Sequence, residues 1–440
     1  MINYFLQYIK FKNIVKNNKM KLIFDNIHGY IELSQLAMQF IDTSEFQRLR
    51  NIHQTGALSY VFPTAVHKRF EHSIGTYHLT GQMLSNLNKK QPNLGLNDKL
   101  IELVKIGGLC HDLGHCTYSH AFDDCFLKKL DNYYDLGDAK EHEFRSIMLV
   151  DHIVEKYNID LEKDEVQVIK DVISPETNKY ESWSDRNKIG KFVLDIVCNT
   201  KNNIDVDKFD YIARDNTAVG LKLGFDYSRL LQQARVIDDT ICYPKKIIDD
   251  IYHMFFVRYR LHKTIYNHKS VNAIELMLAD LMKDYSKGKD VKSWINDPEK
   301  FIEFTDDIYY LFKIQKVNPE LMYRLDTRNL YSMVGSQLID LDQSDIKEET
   351  FIFEDLDISK DDLVVKNYKI GYVSGNKENP LDNIYLYNSD DMNTKFKSDK
   401  SMISSLMHPD LYQERYVRVF CKNKEKKNLL KIAFNRVFKT

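Results

Sequence analysis

The chain has 440 residues and a formal net charge of −2, from 62 lysines and arginines against 64 aspartates and glutamates. This length predicts two or three lobes, or one large catalytic domain with an appendage. The near-neutral charge excludes a global basic field for nonspecific nucleic-acid binding. Apolar residues make up 43%, charged residues 29% and aromatic residues 12% of the chain, which excludes a mainly disordered or fibrous protein. No apolar run approaches the roughly 18 residues of a transmembrane helix, so we expect none.

The first 20 residues form a basic segment, and no acidic residue occurs before Asp25. An organelle presequence would share this charge, but the segment has lysine rather than arginine and no serine. We therefore interpret residues 1–20 as a basic tail. Six cysteines lie in a long chain without any C-x-x-C pair. This predicts reduced thiols and a cytoplasmic or nuclear location.

Residues 21–330 are predicted to be mostly helical. Only 16 glycines and eight prolines occur in the chain, which favours helices over turn-rich β structure. Apolar residues recur at helical spacing in three stretches, at residues 74–87, 100–106 and 271–282. Thr43 and Ser44 occupy a position where an N-cap would open another helix, with Gln47 at capping-box spacing from Ser44.

The pattern changes after about residue 335. Residues 340–362 hold ten acidic residues against two lysines, and β-rich runs follow at 363–365, 370–373 and 383–387. Asn379 and Pro380 mark a turn between the last two runs. A strand at 416–420 and a basic amphipathic helix end the chain. We therefore predict a mainly α fold, with a helical catalytic core at 21–335 and a small C-terminal α+β lobe at 336–440.

The residues that could bind a metal or take part in catalysis are concentrated in one region. Ten of the 14 histidines lie before residue 153. Among them, His111 is followed directly by Asp112, and Gly114 is a natural helix stop just beyond. Imidazole with carboxylate is a ligand set for Zn, Fe, Mn, Ni or Co rather than for calcium. His72 and Asp207 are plausible further ligands. The alternative for any one of these residues is a hydrogen-bonded structural side chain, but together they predict a divalent transition-metal site.

These four residues reproduce, in order, the H…HD…D signature of the HD phosphohydrolases. Longer runs extend the likeness over about residues 21–440, among them Ile41–Arg50, Arg69–Gly75, Leu109–His115, Asp205–Asp215 and Lys377–Asp382. The runs resemble the deoxynucleoside triphosphate triphosphohydrolases, in particular the animal branch that carries a SAM domain before its HD domain. The 20 residues before the matching region leave no room for a SAM domain, so we expect it to be lacking.

The resemblance implies hydrolysis of a deoxynucleoside triphosphate to deoxynucleoside and triphosphate, by attack of water on the α-phosphorus. It implies that the four ligands hold a divalent transition metal, and that Mg²⁺ accompanies the nucleotide triphosphates. It also implies that His120 is the general acid, oriented by Asp123, in a pocket completed by His115, His142 and Glu143. The alternative roles of these polar residues are hydrogen bonding behind the site and core packing.

Substrate contacts follow from the same resemblance. It implies that the triphosphate is held by Arg69, Lys208 and Arg258. It implies that the sugar is held by Gln54, Tyr211, Asp215, Tyr266 and Asn267. Thr55, Phe256 and Asn267 stand where the animal enzymes have leucine, histidine and glutamine. Base preference and discrimination against a 2′ hydroxyl therefore stay open.

The animal enzymes are also regulated, because guanine nucleotide and a second deoxynucleotide bridge the subunits of a tetramer. The resemblance therefore implies GTP or dGTP as an activator and a homo-oligomer, either dimer or tetramer. The residues that match the guanine site are Lys21, Asp42, Gln47, Arg50 and Arg328. Those that match the second site are Val61, Phe62, Arg229, Lys246, His268 and Lys269. Phe24 and Pro244 depart from the second site, and the alternative for the guanine site is a set of polar helix-surface residues.

Two other functions stay open. The first is a weakly active scaffold or nucleic-acid-binding protein on an HD fold, with the basic run Lys422, Lys424, Lys426, Lys427, Lys431 and Arg436 as a phosphate-binding patch. Such a run is more often a solvated helix face. The second is another HD chemistry, such as a nucleoside monophosphatase or a phosphodiesterase. The intact ligand set argues against the first, and the long match over Asp205–Asp215 argues against the second.

Overall fold

The computed structural model of the chain describes residues 20–175, 183, 189–372, 378–403 and 411–439. The predicted basic tail, apart from Met20, lies outside these residues, as do Val373 and Lys377. The described part is mainly helical, which confirms the predicted fold class. Its helices are α1 (Gln35–Ile41), α2 (Ser44–Gln47), α3 (Arg69–Lys90), α4 (Asp98–Cys110), α5 (His142–Lys156), α6 (Lys163–Ile173), α7 (Val206–Ala218), α8 (Ser228–Gln233), α9 (Ile248–Leu261), α10 (Lys269–Ser286), α11 (Val291–Asn296), α12 (Pro298–Phe301), α13 (Ile308–Ile314), α14 (Pro319–Asp326) and α15 (Lys427–Phe438).

The strands of the described residues form three small sheets. An N-terminal antiparallel hairpin pairs β1 (Lys21–Asp25) with β2 (Gly29–Leu33). The second sheet has the order β3-β4-β7-β8, and the third has the order β5-β9-β6. The bounds of these strands are β3 (Arg235–Ile237), β4 (Thr240–Pro244), β5 (Ser332–Ile339), β6 (Leu363–Gly371), β7 (Tyr385–Tyr387), β8 (Phe396–Lys397) and β9 (Gln413–Cys421).

The helical core is built around α3, α4, α6 and α7. Helix α4 packs against α3 on one side and α6 on the other, and α3 also packs against α7. The contact of α4 with α6 is close because residue 107 is glycine: a Cβ on Gly107 would lie 2.5 Å from Val172 Cγ1. Asn97 and Asp205 cap the starts of α4 and α7 by accepting from backbone N–H groups. The ends of these helices therefore have fixed positions.

The C-terminal sheet lies between two apolar cores. Phe420 of β9 belongs to the main helical core, whereas its neighbour Val419 packs in a smaller core with Phe351 and Phe434 of α15. Successive side chains of a strand point to opposite faces of the sheet, which explains this alternation. The predicted strands at 363–365 and 370–373 form a single strand, β6, over the described residues.

The segment predicted as one C-terminal lobe contributes to two sheets. Strand β5 begins at Ser332, close to the predicted boundary at residue 335. However, β7 pairs in parallel with β4 of the helical core, with Leu386 opposite Tyr243. Residues 385–397 therefore extend a sheet of the core. In the described ranges, no helix is both long and apolar enough to cross a membrane.

Candidate active site

Three helix ends bring the predicted metal ligands together. His72 lies near the start of α3, and Asp207 lies in the first turn of α7. His111 and Asp112 directly follow Cys110, the last residue of α4. Since α3 packs against both α4 and α7, the four side chains converge on one point.

The ligand atoms lie at the separations that a single metal ion requires. His72 Nε2 lies 3.3 Å from His111 Nε2 and 3.1 Å from Asp207 Oδ1. It also lies 3.3 Å from Asp112 Oδ2. Metal–ligand bonds of about 2.1 Å place neighbouring ligand atoms about 3.0 Å apart at octahedral angles and about 3.4 Å apart at tetrahedral angles. The cluster therefore has the geometry and the donor set to hold a divalent transition metal.

Both imidazoles turn their Nε2 atoms toward this centre because their Nδ1 atoms are engaged behind it. His111 Nδ1 donates to the carbonyl oxygen of Gly108 at 2.8 Å. His72 Nδ1 lies 2.7 Å from Asp210 Oδ2. A proton on Nδ1 leaves the Nε2 lone pair free for a metal, and such a partner also fixes the orientation of the ring.

The charges of the cluster depend strongly on one another. Burial lowers the pKa of His72, but hydrogen bonds to Asp112, Asp207 and Asp210 outweigh burial and raise that pKa well above its ordinary value. The pKa of His111 is raised against burial in the same way. Burial raises the pKa of Asp207, but the two histidines lower it further than burial raises it. Without a metal, the cluster therefore favours protonated histidine, and a metal must displace that proton.

Asp210 is a buried residue behind the ligands that the sequence analysis missed. Its carboxylate accepts from Arg214 Nε at 2.9 Å and Arg214 Nη2 at 2.8 Å, and Oδ1 lies 2.5 Å from His28 Nε2. Arg214 also reaches Asp25 Oδ2 at 2.9 Å. The signal in the sequence was the spacing of Asp210 and Arg214, because residues four apart on a helix form ion pairs. Asp210 thus connects the N-terminal hairpin to the predicted ligand His72.

Three further histidines line a pocket beside Asp112. His115 stacks on His142 with ring centroids 4.0 Å apart, and it meets His120 edge-on at 4.8 Å. His115 Nε2 lies 3.4 Å from Asp112 Oδ1. The surrounding side chains partly desolvate His120, although His120 keeps an exposed face, and this desolvation together with Arg69 and His142 lowers its pKa to about 4. Burial also lowers the pKa of His142 to about 3. The pocket is therefore a set of neutral imidazoles at neutral pH.

The structure does not bring Asp123 to His120, contrary to expectation. Asp123 Oδ1 accepts from Arg145 Nη2 at 2.6 Å, and Asp123 Oδ2 makes no hydrogen bond within the described residues. The buried guanidinium of Arg145 attracts the carboxylate to α5. Burial nevertheless raises the pKa of Asp123 to about 7. Glu143 does lie beside a pocket histidine, with its Oε2 3.4 Å from His142 Nδ1.

Two buried arginines that the sequence analysis missed hold the segment after Asp112. Arg48 donates to the carbonyl oxygen of His115 at 2.8 Å, and Arg145 Nε donates to that of Gly114 at 2.8 Å. The sequence predicted that Gly114 stops α4, a role in which glycine usually has a positive φ. In the structure α4 ends before Gly114, and the φ of Gly114 is not positive. Instead it permits the close approach of α5, because a Cβ there would lie 2.0 Å from the carbonyl oxygen of His142.

The three cations predicted to bind the triphosphate are all near the cluster. Arg69 is buried, and its Nη1 donates to Asp112. Lys208 Nζ lies 2.9 Å from Asp205 Oδ2, and this carboxylate helps to raise the pKa of Lys208 although burial lowers it. Arg258 is buried as well. The site thus combines a cation-binding cluster with positive charge that suits an anionic substrate.

Residues predicted to bind the sugar follow the predicted metal ligand Asp207 along α7. Asp207, Tyr211 and Asp215 are spaced four residues apart, which puts them on one face of the helix. Arg258 Nε donates to Tyr211 Oη at 3.1 Å. Tyr266 Oη donates to Asp215 Oδ2 at 2.5 Å. These contacts bring three of the predicted sugar residues together.

The remaining sugar residues lie around a π-helical turn and a buried loop. The turn spans His262–Tyr266, and Asn267 Nδ2 donates back to its first carbonyl at 3.0 Å. Gln54 is buried, and its Oε1 makes no hydrogen bond within the described residues. Phe256, by contrast, is exposed on α9. His262 was missed by the sequence analysis; burial lowers its pKa well below the ordinary value, and Arg258 adds to this effect.

Comparison with known proteins identifies the family. An HD domain matches residues 69–215, which include all four predicted ligands. The chain is 35% identical to the deoxynucleoside triphosphate triphosphohydrolase SAMHD1 homolog of Dictyostelium discoideum, over 95% of this chain and 80% of that relative. It is 33% identical to the deoxynucleoside triphosphate triphosphohydrolase SAMHD1 of Homo sapiens, over 96% of this chain and 74% of that relative. It is 30% identical to an HD domain-containing protein of Acanthamoeba polyphaga mimivirus, over 96% of each.

The chain belongs to the deoxynucleoside triphosphate triphosphohydrolase family. This confirms the resemblance inferred from the motifs, and it confirms that the protein is an HD-type hydrolase. The longest motif of that resemblance, Asp205–Asp215, covers the N-cap and most of α7 and contains one predicted metal ligand, one predicted phosphate-binding cation and two predicted sugar residues.

In this member of the triphosphohydrolase family, most residues predicted for the guanine site lie near α1 and α2. Asp42 ends α1, and Gln47 is the last residue of α2. Arg50 Nε donates to Gln47 Oε1 at 2.8 Å, and the Arg50 guanidinium lies 3.5 Å from the centre of the Phe70 ring. Lys21 is exposed on β1. These side chains present polar groups on the surface of the triphosphohydrolase.

Arg328 lies elsewhere in the chain. Its Nη1 donates to the carbonyl oxygen of Tyr60 at 2.8 Å, next to Val61 and Phe62. Phe62 meets His268 edge-on, with centroids 5.8 Å apart. Arg328 therefore joins residues predicted for the second nucleotide site. Among the described residues, no hydrogen bond or ion pair joins Arg328 to Asp42, Gln47 or Arg50.

The other residues predicted for the second site are spread over α8, α10 and the end of β4. Arg229 Nη1 pairs with Asp250 Oδ2 at 2.7 Å. Lys246 lies in the turn after β4, and Lys269 begins α10. Phe24, one of the departures from the family pattern, is exposed on the hairpin and packs edge-on against Tyr30 at 5.3 Å.

The basic C-terminal run is partly neutralised within the chain. Both Nη atoms of Arg436 lie 2.7 Å from the carboxylate of Asp355, and Lys426 Nζ donates to the carbonyl oxygen of Asp357 at 2.8 Å. Asp355 and Asp357 belong to the acidic segment 340–362. This pairing weakens the interpretation of the run as a nucleic-acid patch.

Proposed function

We propose that this protein hydrolyses deoxynucleoside triphosphates to deoxynucleoside and intact triphosphate. The observation that carries the proposal is the cluster of His72, His111, Asp112 and Asp207, which meets Arg69 on one side and the histidine pocket on the other. Family membership and the triphosphohydrolase names of the relatives support the choice of reaction. The partly neutralised C-terminal run gives no comparable support to a nucleic-acid-binding scaffold.

A divalent transition metal, one of Fe, Mn, Zn, Ni or Co, would be held by these four residues. The separations of 3.1–3.3 Å between the Nε2 atom of His72 and its neighbours support this fit. When bound, such an ion polarises a phosphoryl oxygen and lowers the pKa of water. Mg²⁺ is expected to accompany the nucleotide.

The protein residues position and neutralise the triphosphate. Hydrolysis of this kind depends mainly on positioning and electrostatics, because the substrate carries most of its charge on the phosphates. Arg69 and Arg258 are buried, so water screens their charge little. Lys208 keeps its proton because Asp205 lies beside it. Together the three cations would hold the triphosphate so that its α-phosphorus lies close to the metal ligands.

His120 would protonate the departing 5′ oxygen as water attacks the α-phosphorus. Partial desolvation and the positive charges nearby lower the pKa of His120 to about 4 although His120 keeps an exposed face, so the residue needs the negative charge of a bound triphosphate to take up a proton. The bond between phosphorus and the 5′ oxygen then breaks, and the proton moves from His120 to that oxygen. His115, His142 and Glu143 would keep the acid in place.

The sugar would bind over Tyr211, Asp215 and Tyr266, with Gln54 and Asn267 at the edge. A ring as large as Tyr266 leaves little space for a 2′ hydroxyl, whereas the carboxylate of Asp215 accepts from a 3′ hydroxyl. Exposed Phe256 and half-buried Thr55 are the positions at which base preference is expected to differ from that of the animal relatives.

Guanine nucleotide would activate the enzyme by assembling an oligomer. The carboxylate of Asp42 suits the N1–H and N2–H donors of guanine, and Gln47 and Arg50 lie on the same surface. Since Arg328 lies away from these residues, the site would be completed by another subunit. An effector held between subunits links nucleotide concentration to assembly by mass action.

A product assay tests this proposal. Metal-loaded protein is incubated with a deoxynucleoside triphosphate, with and without GTP, and the products are separated. Deoxynucleoside and triphosphate in equal amounts are expected, and the double variant His111→Ala, Asp112→Ala should release neither. Inorganic phosphate as the product would indicate a different HD chemistry, and no product would indicate a scaffold.

A further inference from the structure

Some buried polar atoms of the described residues make no hydrogen bond within the protein, and several belong to the candidate pocket. They include Gln54 Oε1, Thr55 Oγ1 and His115 Nδ1. Buried polar atoms normally have partners, so such atoms in a polar pocket are available to a ligand or to water. The Nδ1 atom of His67 is also buried without a hydrogen-bond partner among the described residues, although no role has yet been assigned to His67.

His67 is connected directly to the sugar pocket. Its Nε2 lies 2.6 Å from Asp215 Oδ1, while Tyr266 Oη donates to Asp215 Oδ2 at 2.5 Å. The Asp215 side chain is only 3% exposed, and that of His67 is 11% exposed. The backbone of His67 is fixed as well, because its carbonyl oxygen accepts from the N–H of Gln54 at 3.1 Å. His67 therefore contacts two of the residues that the proposed function places at the sugar.

The hydrogen bonds among His67, Asp215 and Tyr266 are determined by which of their atoms can donate and which can accept. A carboxylate only accepts hydrogen bonds, so both Nε2 of His67 and Oη of Tyr266 must be donors. Each oxygen of Asp215 thus has one protein donor and keeps further lone pairs for a substrate hydroxyl. With both oxygens held, the carboxylate has one orientation, and the ring of Tyr266 is tied to it.

We propose that His67 is a positioning residue that determines sugar specificity. It fixes the carboxylate of Asp215, which accepts from the 3′ hydroxyl, and through Asp215 it fixes the ring of Tyr266 that excludes a 2′ hydroxyl. The inference rests on the proposed function, because it assumes a nucleoside triphosphate in this pocket. Without the donor at His67, the carboxylate rotates and Tyr266 loses its fixed partner.

Matched variants of His67 separate the donor from the volume of the side chain. Glutamine places an amide nitrogen near the position of Nε2, whereas asparagine is too short to reach Asp215, and methionine fills the volume without a donor. A hydrogen bond to a charged group accounts for about a 10- to 100-fold change in kcat/KM. For a deoxynucleoside triphosphate, His67→Asn and His67→Met should show a loss of this size, mainly in KM, and His67→Gln should recover most of it.

The decisive readout is the ratio of kcat/KM for a deoxynucleoside triphosphate to that for the matching ribonucleoside triphosphate. Both substrates are measured on one preparation, so the ratio does not depend on the folded fraction. His67→Asn and His67→Met should lower the ratio at least about 10-fold. Both substrates carry the 3′ hydroxyl and lose that contact alike, but only the ribonucleotide gains when the ring of Tyr266 is released and no longer excludes its 2′ hydroxyl. An unchanged ratio would overturn the proposal and leave His67 a purely structural residue.

A 2′,3′-dideoxynucleoside triphosphate tests the 3′ contact separately. The penalty for lacking the 3′ hydroxyl should be smaller in His67→Asn than in the unaltered enzyme, because the two changes remove the same interaction. Equal penalties would contradict the role assigned to Asp215. The control is His152→Gln, which removes another histidine beside a carboxylate, since His152 Nε2 lies 3.2 Å from Glu45 Oε1. This variant should leave both the ratio of the two substrates and the penalty for the missing 3′ hydroxyl unchanged. If the unaltered enzyme released no triphosphate at all, the proposed function itself would fail.

Discussion

Replacing Gly75 by alanine should disturb the metal site without touching a ligand. Gly75 lies on α3, three residues after His72, and a Cβ at this position would lie 1.9 Å from Asp210 Oδ1 and 2.7 Å from Arg214 Nη2. The carboxylate would have to move by about 1.5 Å to reach ordinary contact distance. It cannot do so freely, because Arg214, His28 and His72 all bind it.

The expected magnitude follows from these contacts. Disrupting a buried charge pair costs about 3–5 kcal/mol, and alanine in place of glycine within a helix returns about 1 kcal/mol. We therefore expect the free energy of unfolding to fall by about 2–4 kcal/mol. Moving the carboxylate away from His72 Nδ1 should also weaken metal binding by about 10- to 100-fold, as for other partners behind metal-ligating histidines.

Urea unfolding and metal titration against a chelator measure the two effects. The matched control is Gly81→Ala on the same helix, where the new Cβ would meet only the side chain of Lys105, at 3.2 Å. It should leave metal affinity unchanged and shift stability by no more than about 1 kcal/mol. Wild-type stability and metal affinity in Gly75→Ala would refute the view that Asp210 is rigidly held against His72.

Three further predictions concern the acid, the metal and the effector. His120→Ala should reduce turnover by about 10²- to 10⁴-fold with metal still bound, as for loss of a general acid; nearly unchanged turnover would make His115 or a water molecule the proton donor. The affinity for metal should rise with pH by up to about tenfold per pH unit, because the raised pKa of His72 means that a proton must leave before the metal binds. Chelator competition at three pH values should show this slope, and an affinity independent of pH would contradict it. Asp42→Ala should remove activation by GTP and the accompanying rise in mass measured by light scattering, whereas unchanged activation would place the effector elsewhere.

The sequence was most informative where function requires particular residue types. The ligands His72, His111, Asp112 and Asp207 were predicted as one site, and the helix ends bring their ligand atoms within 3.5 Å of His111 or His72. The mainly α fold and the C-terminal strands were predicted as well, because helical and alternating apolar patterns are local properties of the chain.

The sequence was least informative about the residues behind the site. Arg48 holds backbone carbonyls, and Arg145 holds backbone carbonyls together with the side chain of Asp123, 22 residues away, so no local pattern of residue types revealed them. Gly114 was interpreted as a helix stop, whereas its function is to let α5 approach, which depends on tertiary packing. Asp123 was expected at His120, but a buried arginine from another helix competes for its carboxylate. Contacts between distant elements decide all of these cases.

The central claim is that the cluster of His72, His111, Asp112 and Asp207 supports attack of water on the α-phosphorus. The most direct test is hydrolysis of a deoxynucleoside triphosphate in ¹⁸O-labelled water, with GTP present and the products analysed by mass spectrometry. We predict one labelled oxygen in the released triphosphate and none in the deoxynucleoside, with no reaction in the double variant His111→Ala, Asp112→Ala. Label in the deoxynucleoside, or label in inorganic phosphate or pyrophosphate, would contradict this mechanism.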